Sequence, residues 1–404
     1  IFFFFGEMVS IIVSYSSLLL LSTAVAYVIP NNDFIRLPLT RHTHLTKRAG
    51  SEGYKLYNAD RTEYLTKIYI GTPPQEFQVS VDTGSADTWV PWSSCASNEC
   101  PYARFDSSKS STFQSMNLSF ALTYGQGSIH GEYAKDKISL SPTSKLSISQ
   151  TFGLTKSAKD IITQGVKMTS NGILGLGFPA LTANSDTVEA YNPFVFQLAQ
   201  ENMISKPVFC ISLNIGDGWS SELTIGGVDE TRYKGEISYV PVEKNTNPKT
   251  QELDYTFWSV QLESIGVENG TKEQVKSNVI LDTGTTLSYL TKTLVDRIVS
   301  DVTQEKLTFD LQNELYLVKC ELKTSHKKIL LDFKGAQLSI DLADLILPFD
   351  DQHCAFGITY NFDKKNSLVL GDSLLRSAFF VFDLDQKRVG MATAVNSESK
   401  VIAS

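Results

Sequence analysis

Two short stretches decide the fold of this chain: "VSVDTGSADTWVP" at residues 79–91 and "VILDTGTTLSYL" at residues 279–290. Each begins with apolar, mostly β-branched residues and runs into Asp-Thr-Gly, at Asp82 and Asp282. β-Branched residues favour strands, whereas Asp and Gly are poor strand formers. Both stretches therefore predict a strand that ends in a tight turn, and the repeated aspartate indicates a role beyond the turn itself.

The sequence around these turns is duplicated. The apolar run "GILGLGFP" places Gly175 93 residues after Asp82, and the run "LVLGDSLLR" places Gly371 89 residues after Asp282. Equal order and near-equal spacing indicate an internal duplication rather than two accidental matches. Each half is therefore expected to contain a strand ending in Asp-Thr-Gly and, later, an apolar strand ending in glycine.

The composition predicts an all-β protein with two cores. The chain has 404 residues, of which 42% are apolar and 20% charged, and its Val, Ile, Thr and Ser residues recur in short runs. Helical patterns are convincing only at residues 192–204 and 291–302. We expect an N-terminal lobe over residues 49–228, a C-terminal lobe over 229–395 and a polar C-terminal tail at 396–404. The net charge of −8 and the lack of a basic stripe argue against nucleic acid as a partner.

The N-terminal segment is typical of a secretion signal. Residues 8–26 are largely apolar and end in Ala24-Val25-Ala26, a small-x-small cleavage pattern. A membrane anchor is the alternative, but the stretch is short and polar residues follow Pro30. We expect residues 1–26 to be a signal peptide. Met8 is an alternative start, in which case residues 1–7 are an artefact.

Residues 27–48 are predicted to form a propeptide. This segment carries Arg36, Arg41, Lys47 and Arg48 against the single acid Asp33, so it is expected to lie as a basic strap on an acidic body. Cleavage after Arg48 by a kexin-like protease is the expected activation step, and self-cleavage in acid is the alternative. We expect the mature protein to be secreted, with a vacuole as the second possibility.

The five cysteines suggest two disulfides and one free thiol, as expected for an oxidising compartment. Cys95 and Cys100 are close enough to close a small loop. Cys210 lies in the apolar pattern "PVFCISL" and is expected to be buried and unpaired, which leaves Cys320 and Cys354 for the second bridge.

Two glycosylation sequons fit a secreted surface, at Asn117 and Asn269. No Cys or His cluster has the spacing of zinc ligands, so neither a metal nor a cofactor is expected.

The two turns suggest a specific chemistry. If the lobes bring Asp82 and Asp282 together, the two carboxyls cannot both ionise and must share one proton in acid. One aspartate is then a general base and the other a general acid at the same moment. Hydroxyls from Ser85 and Thr285 are placed to orient the carboxyls, Thr83 and Thr283 to brace the turns across the interface, and Gly84 and Gly284 to let the backbone approach.

These motifs resemble the pepsin-like (family A1) aspartic peptidases, of the fungal secreted type. The resemblance extends from about residue 62 to residue 394 and includes "IYIGTPPQEFQV", "TWVP", "GILGLGFP" and "VLGDSLLR". It implies a bilobal, mostly β fold with a deep cleft, an endopeptidase that works in acid without a cofactor, and catalytic roles for Asp82 and Asp282. It also supports both disulfide pairings. A catalytically inactive peptide-binding or inhibitor-like relative is the alternative, which the presence of both aspartates disfavours.

The stretch "TYGQGSIHG" at residues 123–131 predicts a β-hairpin with a glycine-rich tip. In the family it resembles, this hairpin is a flap that closes over bound peptide. The resemblance implies that Tyr124 packs beside the substrate with its hydroxyl bonded to the Trp89 indole, and that Gly125 lies at the tip.

The sequence departs from the family pattern at two places. Ser170-Asn171-Gly172 replaces an aromatic-Asp-Gly, and Gln126 stands at the flap tip where some fungal relatives place an aspartate. We expect a preference for large apolar residues on both sides of the cleaved bond, without strong acceptance of lysine. The expected partners are protein and peptide substrates and statine-type inhibitors, and the expected state is a monomer, with no membrane partner.

Overall fold

A computed structural model describes residues 34–43, 62–125, 127–143, 146–162, 170–214, 218–305, 308–311, 313–350, 353–360, 368–395 and 397–404. The fold is nearly all-β and bilobal, as the sequence predicts. The strands of the first half are β1 (Ile35–Thr43), β2 (Thr62–Ile70), β3 (Gln75–Asp82), β4 (Trp89–Pro91), β5 (Gln114–Thr123), β6 (Ser128–Ser139), β7 (Ser147–Lys159), β8 (Ile173–Gly175), β9 (Val208–Ser212) and β10 (Gly218–Ile225).

The second half contains the remaining strands and most of the helices. The strands are β11 (Tyr233–Pro241), β12 (Asn245–Thr246), β13 (Leu253–Asp254), β14 (Ser259–Val267), β15 (Lys272–Leu281), β16 (Ser288–Leu290), β17 (Thr308–Asp310), β18 (Leu315–Val318), β19 (Lys328–Phe333), β20 (Ala336–Asp341), β21 (Ile346–Pro348), β22 (Cys354–Phe356), β23 (Ile358–Tyr360), β24 (Leu368–Leu370), β25 (Phe379–Asp383), β26 (Arg388–Ala394) and β27 (Lys400–Ala403). The α-helices of the whole described chain are α1 (Phe194–Gln200), α2 (Lys292–Thr303), α3 (Leu342–Leu345) and α4 (Asp372–Leu375).

Helices α1 and α2 confirm the two helices predicted from the sequence. Both are held by one apolar face, which in α2 buries Val295, Ile298, Val299 and Val302. None of the helices in the described ranges is long and apolar enough to cross a membrane.

A thirteen-stranded sheet joins the two halves. Its order is β11-β26-β25-β9-β10-β1-β2-β3-β8-β4-β7-β6-β5, so three strands from the second half continue the sheet of the first. The second lobe is built on an eight-stranded sheet in the order β23-β16-β24-β15-β14-β19-β20-β27 and a four-stranded sheet in the order β17-β18-β22-β21. The lobes are therefore connected by backbone hydrogen bonds as well as by side-chain packing.

Aromatic residues from both halves form the core beneath the connecting sheet. The ring centroids of Phe178 and Trp258 lie 4.3 Å apart, and those of Phe209 and Phe382 lie 4.6 Å apart in a stacked pair. All four are buried. Burying such a side chain stabilises a fold by roughly 1.5–3 kcal/mol, so this cluster is a substantial part of what holds the lobes together.

Residues of the predicted propeptide form a central strand. β1 lies between β10 and β2 and buries Ile35, Leu37 and Leu39. On its other face, the Arg36 guanidinium lies 2.9 Å from the carboxylate of Asp229. The structure thus places a basic segment on acidic residues, whereas the predicted signal peptide and the Lys47-Arg48 pair lie outside the described residues.

The end of the predicted polar tail is also part of a sheet. β27 pairs antiparallel with β20, with Ala336 opposite Ala403 and Ser339 opposite Lys400. Ile402 on this strand is half exposed, as suits an edge strand. Composition alone did not predict this strand because only four residues form it.

Candidate active site

The duplication places the two Asp-Thr-Gly turns in equivalent surroundings. β3 runs parallel to β8, with Asp82 opposite Gly175, and β15 runs parallel to β24, with Leu281 opposite Leu370. A Cβ atom on Gly175 would lie 2.5 Å from the carbonyl carbon of Ala86. Glycine is therefore required at the end of the apolar run, because any side chain there would displace the turn beside it.

The two aspartates meet at the interface between the lobes. The carboxyls of Asp82 and Asp282 lie within hydrogen-bonding distance of each other. A Cβ atom on Gly84 would lie 2.4 Å from Asp282 Oδ1, and one on Gly284 would lie 2.5 Å from Asp82 Oδ1. Each glycine thus leaves the space that the aspartate of the other half occupies.

Each carboxyl is held by its own turn in the same way. Asp82 Oδ1 accepts a hydrogen bond from the Gly84 N–H at 2.8 Å, and Oδ2 accepts one from Ser85 Oγ at 2.5 Å. The equivalent bonds in the second half are Gly284 N to Asp282 Oδ1 at 2.8 Å and Thr285 Oγ1 to Asp282 Oδ2 at 2.6 Å. These donors fix both carboxyl planes, so the geometry at the dyad is close to two-fold symmetric.

The environment at the dyad is not symmetric. Asp82 is 6% exposed, and burial raises its pKa well above the usual range of an aspartate. The negative charge of Asp282 raises it further, while the bonds from Ser85 and Gly84 lower it. Burial and the neighbouring charge therefore favour the protonated form of Asp82.

Two threonines lock the turns together. Thr83 Oγ1 donates to the Leu281 carbonyl at 2.7 Å and accepts from the Thr283 N–H at 3.0 Å. Thr283 Oγ1 donates to the Val81 carbonyl at 2.7 Å and accepts from the Thr83 N–H at 3.1 Å. All four bonds are buried and cross between the lobes, so they set the separation of the two aspartates.

The hairpin of β5 and β6 lies over the first turn. Its strands pair up to Thr123 opposite Ser128, leaving Tyr124 and Gly125 near the tip. The Trp89 indole N–H donates to Tyr124 Oη at 2.9 Å, and that hydroxyl is also hydrogen-bonded to Ser85. The flap tyrosine is thereby linked to the residue that holds Asp82, while Gln126 lies outside the described residues.

The predicted cysteine pairs and glycosylation sequons can also be located in the structure. Disulfides join Cys95 to Cys100 and Cys320 to Cys354, the pairs expected from the sequence, and Cys210 is a buried free thiol. Both sequon asparagines are exposed. Across the residues that the structure describes, no group of three His, Cys, Asp or Glu side chains could hold a metal ion.

One further carboxyl, that of Asp372, lies close to the dyad, and sequence reasoning missed its place there. Asp372 is buried, and its side-chain oxygens form no hydrogen bond with any described residue. Burial and the charge of Asp282 raise the pKa of Asp372, while Arg376 and Arg41 lower it. Its position directly after Gly371 is the signal that could have placed it here.

Comparisons with known proteins agree with this geometry. Residues 63–394 match the sequence profile described as eukaryotic aspartyl protease. The chain is 29% identical to vacuolar protease A of Neurospora crassa over 86% of its own length and 82% of that protein, and 31% identical to pregnancy-associated glycoprotein 2 of Bos taurus over 85% of each. It is 32% identical to human gastricsin over 82% of this chain and 81% of gastricsin. With the profile matching most of its length, and with two Asp-Thr-Gly turns facing each other across the lobes, the chain belongs to the eukaryotic aspartyl protease family.

Proposed function

We propose that this aspartic endopeptidase hydrolyses peptide bonds in acid by activating a water molecule between Asp82 and Asp282. The observation that carries the proposal is the hydrogen-bond contact of the two carboxyls, one of them buried with a raised pKa. A pair that shares a proton supplies a base and an acid at the same moment. Neither a metal nor a covalent intermediate enters this reaction.

The steps follow from the protonation of the pair. Ionised Asp282 accepts a proton from the water, whose oxygen attacks the peptide carbonyl carbon. Protonated Asp82 donates to the carbonyl oxygen as negative charge develops there. The resulting tetrahedral diol collapses when the amide nitrogen is protonated by Asp282 and the C–N bond breaks, while Asp82 recovers a proton from a diol hydroxyl. The pair then holds one proton again, as it did before the reaction.

The flap is proposed to orient the peptide and exclude water. The Trp89–Tyr124 bond and the link from Tyr124 to Ser85 support this role, because they connect hairpin position with the orientation of the Asp82 carboxyl. A closing lid that completes the catalytic arrangement is a common way to commit a substrate. In the proposed mechanism, the position of the flap and the orientation of the Asp82 carboxyl are therefore linked.

We propose a preference for large apolar residues on both sides of the cleaved bond. Asn171 replaces the family aspartate, but its side chain is buried and donates to the Ala103 carbonyl at 2.5 Å, so it adds no polar group to the cleft. A digest of a peptide library should show large apolar residues flanking the cut. Dominant cleavage after lysine would contradict this preference.

Digestion of haemoglobin tests the proposed function. When activity is measured from about pH 2 to about pH 7, it is expected to be highest in acid. A statine-type peptide should abolish it, because the hydroxyl of the statine takes the place of the diol. Activity that is highest near neutral pH, or that a statine-type peptide leaves intact, would contradict the proposal.

We propose secretion as the destination, on the predicted signal peptide at residues 1–26. The similarity to two fungal proteins named vacuolar protease A keeps a vacuole as the second candidate. Localisation of the tagged full-length protein in its own organism, against a vacuolar marker, distinguishes these destinations. Enrichment in the medium supports secretion, and accumulation with the marker contradicts it.

A further inference from the structure

A buried carboxylate behind the flap plays no part in the mechanism above. Asp87 lies five residues after Asp82 in the same turn region and is 3% exposed. Its Oδ1 accepts hydrogen bonds from Tyr133 Oη at 2.6 Å and from Tyr191 Oη at 2.5 Å, and its Oδ2 accepts one from the Ala183 N–H at 3.0 Å. One side chain thus binds three separate parts of the first lobe.

These partners lie on the elements that surround the catalytic turn. Tyr133 is on β6, the second strand of the flap hairpin, and Tyr191 lies in the segment that follows β8 and precedes α1. The rings of the two tyrosines meet edge to face with centroids 5.7 Å apart. The backbone nitrogen of Asp87 lies 2.8 Å from where a Cβ on Gly175 would stand, so Asp87 packs directly against the end of β8. The carboxylate therefore anchors the base of the flap to the turn that carries Asp82.

The three partners, as they are arranged, all donate to Asp87 and so suit an ionised acid. A carboxylate only accepts hydrogen bonds, whereas an amide or a protonated carboxyl presents a donor on one side. Three donors converge on Asp87, and the Ala183 N–H among them cannot accept, so a neutral side chain of the same shape keeps every contact only if the tyrosine hydroxyls turn from donors into acceptors. The burial of the site makes the loss of any such contact costly.

The charge of Asp87 also affects the pKa of Tyr124, near the tip of the flap. Burial raises the pKa of Tyr124, and the negative charges of Asp87 and Asp82, in that order, raise it further. The Tyr124 hydroxyl therefore stays protonated and able to donate while it accepts from Trp89. Asp87 contacts the flap hairpin through Tyr133, and Tyr124 near the tip of that hairpin is hydrogen-bonded to Ser85.

We propose that Asp87 is a positioning residue that couples the flap to the catalytic turn, and that it does so only while ionised. This inference rests on the proposed function of the dyad. The titratable and charged groups that face Asp87 are Tyr124 and Tyr133 on the flap, Tyr191 on the neighbouring segment, Asp82 on its own turn, and Lys249, which has Asp186 beside it. Among these, the Lys249 ammonium is the cation, and it is held by the Thr182 carbonyl.

Titration of Asp87 is expected within the acid range. Burial raises the pKa of Asp87 above its usual range, although both tyrosine hydroxyls and the Ala183 N–H lower it. As the pH falls, the carboxylate is protonated, a tyrosine hydroxyl must turn from donor to acceptor or break its bond, and the flap base loosens. The anchor is thus present at the upper end of the acid range and lost at the lower end.

Asp87→Asn tests the proposal, with Asp136→Asn as the matched control. Asp136 is a buried carboxylate on β6 that accepts from Thr112 Oγ1 at 2.5 Å and from the Lys137 N–H at 2.7 Å, away from the dyad. For a peptide with two large apolar residues at the cut, we expect Asp87→Asn to lower kcat/KM about tenfold near about pH 5.5 and less than about threefold near about pH 2.5. The control should change kcat/KM by a factor that is the same at both pH values.

Each outcome is decisive. An inactive wild-type protein contradicts the proposed function and this inference together. An active wild-type protein with no loss in Asp87→Asn, or with the same loss at every pH, contradicts this inference alone.

If Asp87→Asn does not fold, Tyr133→Phe removes one donor and keeps the ring. It should lower kcat/KM by about threefold or more near about pH 5.5, with the difference again vanishing in strong acid. Tyr69→Phe is its control, since Tyr69 Oη donates to the Glu76 carboxylate at 3.0 Å outside this network. A folded Tyr133→Phe protein with the wild-type pH profile overturns the proposal.

Discussion

At the residue scale, the decisive contacts are the four hydrogen bonds made by Thr83 and Thr283. Each threonine uses its hydroxyl both as a donor and as an acceptor, so no other small side chain except serine can replace it. Both residues are buried. The separation of the two aspartates therefore depends on two hydroxyls that take no part in the chemistry.

Thr83→Val tests whether the hydroxyl of Thr83, rather than the volume of its side chain, stabilises the fold. Valine keeps the volume but leaves the Leu281 carbonyl and the Thr283 N–H buried without partners, which should cost about 2–4 kcal/mol of unfolding free energy. Urea denaturation measures this loss. Thr83→Ser is the control and should lose less than about 1 kcal/mol, and an equal loss in both variants would show that the hydroxyl is not what matters.

Short motifs made much of the site predictable. Asp82, Asp282 and the hydroxyls at Ser85 and Thr285 follow strands that the β-branched runs mark clearly, and the disulfide pairs follow from the position of Cys210 in an apolar strand. The partners of Asp87 were not predictable in the same way. Tyr133 and Tyr191 are 46 and 104 residues from Asp87, and no local pattern relates residues that distant.

At the scale of elements, the flap hairpin depends on one bond at its tip. Trp89→Phe removes the indole donor to Tyr124 Oη and keeps an aromatic ring, so kcat/KM should fall about tenfold as the flap tyrosine loses its fixed orientation. Trp92→Phe is the control, because the Trp92 indole donates to Ser107 Oγ at 3.2 Å and not to the flap tyrosine. Steady-state kinetics with one peptide substrate compares the two, and equal losses would contradict the assigned role of Trp89.

The strand β1 illustrates what periodicity cannot predict. Residues 35–39 alternate between buried and half-exposed positions, as an ordinary strand does, and yet they lie in the segment predicted to be a propeptide. Composition distinguished this segment by its basic residues but gave no indication that it fills a central position in the sheet. Pairing with β10 and β2 depends on residues far along the chain, so register could not be read from the segment itself.

The fate of β1 can be determined by sequencing. In Asp82→Asn protein made in its native host, cleavage after Arg48 by a kexin-like protease should still give a new N-terminus at Ala49. Self-cleavage instead requires the dyad, so the variant would then keep its N-terminal segment. The wild-type protein sequenced in parallel is the control.

At the scale of the whole molecule, buried carboxyls should make the fold more stable in acid than at neutral pH. Burial raises the pKa values of Asp82, Asp87 and Asp372 in the folded protein. Since the folded state binds more protons than the unfolded state once the pH exceeds about 4, the unfolding free energy should fall as the pH rises from there. Thermal unfolding at a series of pH values measures this slope.

Asp372 should account for a separable part of that slope. Asp372→Asn removes a buried carboxyl whose oxygens bond to no described residue, so the variant should gain about 1 kcal/mol or more at about pH 7 and little at about pH 4. If the variant is instead less stable than the wild type at about pH 7, the favourable interaction of the Asp372 carboxylate with Arg376 outweighs the cost of burying that carboxylate.

The most direct test of the shared proton is the pH dependence of kcat/KM for the wild type beside Asp82→Asn and Asp282→Asn. The account predicts a bell-shaped profile in acid for the wild type and a loss of about a thousandfold or more in each variant, with folding and stability at acid pH retained. Comparable losses are expected because neither aspartate can be base and acid alone. A variant that keeps wild-type turnover, or a wild-type profile without an acid limb and a basic limb, would contradict the account.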